Sequence, residues 1–106
     1  MTAKELIMSI PEKFNGAGIE DAVSKFHFLI DGEGGGDFTL DINKGECTVK
    51  EGASDEANCV VKAKSDTIKK VMAGDMNPQM AVFMGKLKIS NLGEMMKYAK
   101  YFGLMK

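Results

Sequence analysis

The stretch that decides the fold is Met76–Phe102, MNPQMAVFMGKLKISNLGEMMKYAKYF. Asn77-Pro78 is a helix start: a side-chain cap, then proline at the first helical position, where its missing N–H is not needed. Met80, Ala81, Phe83 and Met84 follow, and Gly85 stops the helix. Leu87 and Ile89 then alternate with Lys86, Lys88 and Ser90, the period of a short half-buried strand. Asn91 caps a second helix. There Leu92, Met95, Met96, Ala99 and Phe102 fall at helical spacing, with Glu94, Lys97 and Lys100 opposite. Helix, strand and helix each have one apolar face, so they need a shared core.

The residues upstream supply the rest of it. Thr2-Ala3-Lys4-Glu5 is a capping box, followed by an apolar face of Leu6, Ile7 and Ile10. Pro11 ends that helix or starts a fresh turn. From Ala22 the period becomes two. Phe26, Phe28 and Ile30 share one face; Lys25, His27 and Asp31 share the other. Phe38, Leu40 and Ile42 alternate with polar residues, and so do Cys47 and Val49 after the turn Asn43-Lys44-Gly45. These three runs read as an antiparallel meander. Cys59, Val61 and Ala63 make a fourth strand. Ser65 or Asp66 then caps a helix with Ile68, Val71 and Met72 on one side, ended by Gly74. Every strand has one polar face. The pattern predicts an α+β fold in two layers: a five-stranded, mostly antiparallel sheet with helices packed on one face and water on the other.

At 106 residues the chain is expected to form one domain over 1–106. Its net charge is −1, and all 14 basic residues are lysines, which removes the bidentate arginine chemistry of nucleic-acid reading; no nucleic-acid partner is expected. The segment MTAKELIMSIPEKF carries charges and a proline where a secretory signal would be apolar, and the last three residues are not a peroxisomal tripeptide. A cytoplasmic location with free thiols at Cys47 and Cys59 is expected.

Sites of chemistry are sparse. His27, the one histidine, falls on the polar face of its strand and reads as a surface residue, not a catalytic base or zinc ligand. The run Asp31–Asp37 is too short of phosphate- or calcium-loop features and reads as a hairpin loop. No carboxylates pair in an apolar setting. No catalytic residue, metal or cofactor is expected, and the chain reads as a non-enzyme. The methionines are the odd feature: seven of the nine lie between Met72 and Met105. Methionine fills cores, but it is also favoured where an apolar surface must adapt to varied ligands.

The segment Asn77–Phe102 resembles the C-terminal signature of the sterol carrier protein type 2 family of lipid-binding domains. Asn77, Pro78, Gln79, Gly85, Lys86, Leu87, Lys88 and Ile89 match that family's motif, and Asn58-Cys59-Val60-Val61 with Ser65-Asp66 resembles its strand-to-helix junction. The resemblance implies a small stand-alone, prokaryotic-type member. It also implies non-enzymatic binding and transfer of a fatty acid, acyl-CoA, phospholipid or sterol-like lipid in a tunnel between sheet and helices. The inward apolar residues would be Phe26, Phe28, Leu40, Met80, Phe83, Met84, Met95, Met96, Ala99 and Phe102. Partners would be a long-chain lipid or acyl ligand and, transiently, a membrane surface or acyl-handling enzymes. Release would need the C-terminal helix to lift. Two other readings fit the same residues: a structural or regulatory interaction domain with a filled core, and an accessory subunit presenting acyl substrates to a separate enzyme.

Overall fold

The computed structural model describes residues 2–14, 16, 18–98 and 101. Helix α1 (Ala3–Met8) starts on the capping box: Thr2 Oγ1 accepts from the Glu5 N–H, and the Glu5 carboxylate accepts from the Thr2 N–H. Helix α2 (Ile10–Lys13) restarts at Pro11, and Ala3, Ile7 and Ile10 are buried from this pair. Strands β1 (Val23–Asp31), β2 (Gly36–Asn43) and β3 (Glu46–Glu51) form the antiparallel meander. The β2–β3 turn holds Lys44 and Gly45 at φ 53° and 81°, the two positive values that match the twist of a two-residue hairpin. Between β1 and β2, a Cβ on Gly35 would lie 2.4 Å from the Ile30 carbonyl oxygen, so the glycine there permits a close backbone approach.

Strand β4 (Cys59–Lys64) leads directly into α3 (Ser65–Met72), whose first residue is Ser65 with Lys64 at the cap and no side-chain cap bond. Neither Ser65 nor Asp66 caps it, because the strand runs into the helix with no intervening turn. Helix α4 (Pro78–Phe83) is capped as its sequence predicts: Asn77 Oδ1 accepts from the N–H groups of Gln79 and Met80 at 2.8 and 3.4 Å. It ends with Gly85 at φ 75°, where the Lys86 N–H reaches the Ala81 carbonyl and the Gly85 N–H reaches Val82. Strand β5 (Leu87–Ile89) and helix α5 (Leu92–Tyr98) complete the described elements.

The sheet order is β3-β2-β1-β4-β5, antiparallel except for the parallel pair β1 and β4. Registers place Phe26, Phe28, Phe38, Leu40, Cys59 and Val61 on the face that carries the helices. These residues join Ile7, Ile10, Ile68, Val71, Ala81, Met95 and Tyr98 in one core.

The opposite face is not simply wet. Strands β3 and β4 both run parallel to β1 but lie on either side of it, so residues 52–58 must return across the sheet. They do so on the face away from the helices. Thr39 Oγ1 donates to the Gly52 carbonyl at 2.6 Å, Asp55 meets Lys25 and His27, and the Asn58 side chain accepts from the Lys25 N–H. This strap buries Thr39 and His27.

Candidate functional site

Between the helix-bearing face of β1, β4 and β5 and the helices lies a cavity of about 480 Å³. Phe28, Val61, Leu87 and Ile89 form its sheet side. Ile7 and Ile10 close one wall, Ile68, Val71 and Met72 of α3 another. Pro78 and Val82 of α4 face Leu92, Met95 and Met96 of α5 across the remaining side. Asn77 and Gln79 bring the polar groups, and among the described residues no charged one lines it. The lining residues that reach solvent are Asn77, Gln79, Leu92 and Met96, which puts the mouth between α4 and α5. The volume falls in the range of small-molecule sites, roughly 300–1,000 Å³.

The ten residues expected on an inner apolar surface separate into four groups. Phe28, Met95 and Met96 line the cavity. Phe26 and Leu40 are fully buried in the core beside it and do not line it. Met80, Phe83 and Met84 point outward and are exposed, against expectation. The reason is the phase of α4: only Ala81 is buried from that helix, and Pro78 and Val82, not the bulkier residues, turn toward the cavity. Ala99 and Phe102 lie outside the described residues. The motif residues serve architecture first. Asn77, Pro78 and Gly85 begin and end α4, Leu87 and Ile89 face the cavity, and Lys86 and Lys88 face solvent.

Helix α5 is also rotated from the expected stripe. Its buried side holds Met95 and Tyr98, while Leu92 and Met96 are partly exposed at the mouth. Glu94, expected outward, accepts a hydrogen bond from the buried Ser24 hydroxyl at 2.6 Å. The Asn91 side chain sets this phase: it caps the Glu94 N–H at 3.1 Å and donates to the Asn58 carbonyl at 3.2 Å. The sequence shows the apolar faces of α1 and α3 that meet at the cavity but points to no site there, because periodicity does not tell a filled interface from a hollow one.

His27 is a correction too. It is 6% exposed, not a surface residue, because the strap covers it, and its Nε2 lies 3.0 Å from Asp55 Oδ1. Lys25, then His27, hold the Asp55 carboxyl well below the usual carboxylate range through hydrogen bonds. The outer face also carries an open cleft of about 670 Å³, but charged and amide side chains such as Lys25, Asp41, Asn43 and Glu46 line it. Cys47 and Cys59 are free thiols. Burial, with Asp41 nearby, pushes the Cys47 thiol up to about 12, and burial raises Cys59 as well, so both are poor nucleophiles. Among the described residues no group of three His, Cys, Asp or Glu could hold a metal ion, and no helix is long and apolar enough to cross a membrane.

Comparison with known proteins accords with this architecture. The solution structure of palmitated SCP2L2 from Aedes aegypti superposes with a TM-score of 0.74 at 15% identity, covering 96% of this chain and 95% of that one. The sec-alkylsulfatase Pisa1 from Pseudomonas sp. contains the same fold, with a TM-score of 0.73 at 18% identity over 92% of this chain and 15% of that one. In sequence, sterol carrier protein 2 of Gallus gallus is 41% identical over 76 residues, which cover 68% of this chain and 14% of that protein. Hydroxysteroid dehydrogenase-like protein 2 of Xenopus laevis is 31% identical over 104 residues, or 96% of this chain and 25% of that protein. The chain thus spans a minor part of these curated relatives. The profile of the SCP-2 sterol transfer family matches residues 7–106, and the chain belongs to that family.

Proposed function

We infer that this chain binds one long apolar lipid or acyl chain in the cavity between sheet and helices and carries it without chemical change. The observation that carries the reading is the cavity of about 480 Å³, walled by apolar side chains from both layers; among the described residues it holds no charge, and its polar groups come from Asn77 and Gln79. Membership of a sterol-transfer family and the palmitated structural relative support it. Binding would be burial. A chain of ~16 carbons at ~0.8 kcal/mol per methylene gives about 12 kcal/mol gross. Association costs of ~4 kcal/mol or more leave about 8 kcal/mol or less, a micromolar or weaker affinity. A charged head group would stay at the mouth, since the interior offers it no partner. Of the residues expected from sequence, Phe28, Met95 and Met96 are proposed as ligand contacts; Val61, Val71, Met72 and Val82 are added.

The test is a titration with a fluorescent long-chain fatty acid, with native mass spectrometry of the purified protein. Saturation near one ligand per chain is expected. No saturable binding at about 100 micromolar, roughly 5 kcal/mol of affinity, would leave the structural-domain reading in its place.

A second reading has its own observation. Three of the relatives named above carry the matching stretch as 14–25% of longer proteins, among them a dehydrogenase-like protein and an alkylsulfatase. A domain of this kind could present its ligand to an enzyme. Affinity capture of an acyl- or sterol-modifying enzyme that loses activity toward long substrates without this chain would favour that role over free transfer.

A further inference from the structure

The methionines that crowd the chain from Met72 onward differ in where the fold puts them. Met72, Met95 and Met96 line the cavity, whereas Met80 and Met84 stand outside it. Met95 and Met96 are adjacent on α5, yet Met95 is 5% exposed and Met96 42%. Met72 is half-buried. Among the described residues, Met96 is the one methionine that is both exposed to water and part of the lining.

A thioether has no proton to lose, so access rather than ionisation governs its reaction with a peroxide. The sulfur lone pair attacks one oxygen of hydrogen peroxide, and the S–O bond forms as the O–O bond breaks. The leaving hydroxide takes the proton of the transferred hydroxyl and departs as water. Sulfur gives up two electrons and the peroxide gains them. The product sulfoxide is polar and chiral where the thioether was apolar, and reductases return it to the thioether. The two thiols compete poorly for the oxidant, because burial disfavours their thiolates.

We propose that Met96 is a reversible oxidation site through which hydrogen peroxide weakens ligand binding. A sulfoxide oxygen needs a hydrogen-bond donor, and the neighbours of Met96 in the lining of α5, Leu92 and Met95, offer none. Left in the wall, that oxygen faces the ligand unpaired. Turned toward water, it takes the side chain out of the wall. Either position holds an apolar chain less well than the thioether does. Met80 and Met84, each 55% exposed, are open to the same reaction, but they stand outside the lining and their oxidation leaves the cavity as it was. This control deepens the carrier reading and rests on it.

The experiment treats the whole chain with hydrogen peroxide and locates sulfoxide by peptide mass spectrometry. Treated and untreated protein are then titrated with a fluorescent long-chain fatty acid. Sulfoxide should form faster at Met96 than at Met95, and affinity should fall about tenfold or more. Methionine sulfoxide reductase should restore it. Each variant is compared with its own untreated form. Met80→Leu with Met84→Leu should lose affinity on treatment as the natural chain does, whereas Met96→Leu should lose less than about twofold. Met96→Gln carries a permanent polar group there and should bind about tenfold or more weaker than Met96→Leu without any peroxide. Near-ultraviolet circular dichroism of the treated chain should keep its native form. An equal loss of affinity in treated Met96→Leu overturns the proposal, and so does a Met95 that reacts as fast as Met96. Unfolding on treatment, shared by Met96→Leu, overturns it as well, assigning the loss to the core. Binding that survives complete sulfoxide formation at Met96 removes the control alone. No fatty-acid binding by the untreated chain removes the carrier reading and the control with it.

Discussion

The rings of Phe26 and Tyr98 meet edge to face, with centroids 5.9 Å apart and planes at 89°. Both side chains are almost wholly buried. This contact fastens α5 to β1, and Tyr101 continues it with a tilted contact to Tyr98 at 6.4 Å. Helix α5 is therefore part of the core, although its neighbours Leu92 and Met96 sit at the cavity mouth.

Tyr98→Ala should cost about 3–5 kcal/mol, the usual loss for deleting a large buried aromatic ring. Phe83→Ala, at an exposed position, should stay within about 0.5 kcal/mol of the natural chain. Urea midpoints of the two variants check this pair, and equal midpoints would contradict the placement of Tyr98 in the core.

Glu94 anchors the start of the same helix. Its bond with the Ser24 hydroxyl joins α5 to β1 across 70 residues of sequence. Glu94→Ala leaves the buried hydroxyl without that partner and should cost about 1–3 kcal/mol. Glu94→Gln keeps an acceptor and should recover a good part of the loss. Thermal denaturation of both variants distinguishes this bond from a general effect of charge removal.

These two contacts show where the sequence was legible. The helix caps at Thr2 and Asn77, the glycine stops, the meander and the two-layer class all rest on neighbours within a few residues, so local patterns carry them. The phase of α5 does not. Glu94 reads as outward because it is charged, and only the fold brings Ser24 to it. His27 reads as wet for a similar reason. Nothing in the alternation of β1 says that β4 will pair parallel to it and force residues 52–58 across its outer face. On α4, Phe83 and Met84 look like core by composition. The fold instead seats the small Ala81 against the core, and the large residues turn out.

The strap gives a pH dependence. Asp55's folded value lies below its unfolded one, chiefly through Lys25 and then His27. A depressed carboxylate stabilises the fold above its unfolded range, about pH 4, and that contribution fades as pH falls below it. Asp55→Asn should be less stable at neutral pH and should lose less stability between neutral pH and acid than the natural chain. Urea unfolding at stepped pH measures this, and superimposable acid limbs would rule out Asp55 as a contributor.

Val82 lies on the cavity wall beside the mouth. Val82→Trp should lower fatty-acid affinity about tenfold or more by occupying ligand space, with apo stability changed by less than about 1.5 kcal/mol because the ring enters an existing hollow. Met84→Trp, two residues past Val82 and outside the lining, should bind as the natural chain does. If the two variants bind alike, the ligand lies elsewhere.

Exchange with the cavity requires one of its walls to move, and α4 is the weaker wall. Helix α5 is held by Met95 and Tyr98 in the core, by Glu94 on Ser24 and by Asn91 on Asn58. Helix α4 buries only Ala81, is six residues long, and is flanked by Gly74 and Gly85, both at positive φ. Segments with few buried apolar groups open at the lowest free energy. The sequence alone pointed to the C-terminal helix as the moving part; the anchors on α5 move that expectation to α4. Hydrogen exchange should therefore be faster at the amides of Met80–Met84 than at Met95–Tyr98 in the apo protein. Added fatty acid should slow the α4 amides, because a chain bound in the cavity would pack against Val82 and Pro78 of its lining. Exchange that is slower in α4 than in α5, or unchanged there by a ligand that demonstrably binds, would place the moving wall back on α5.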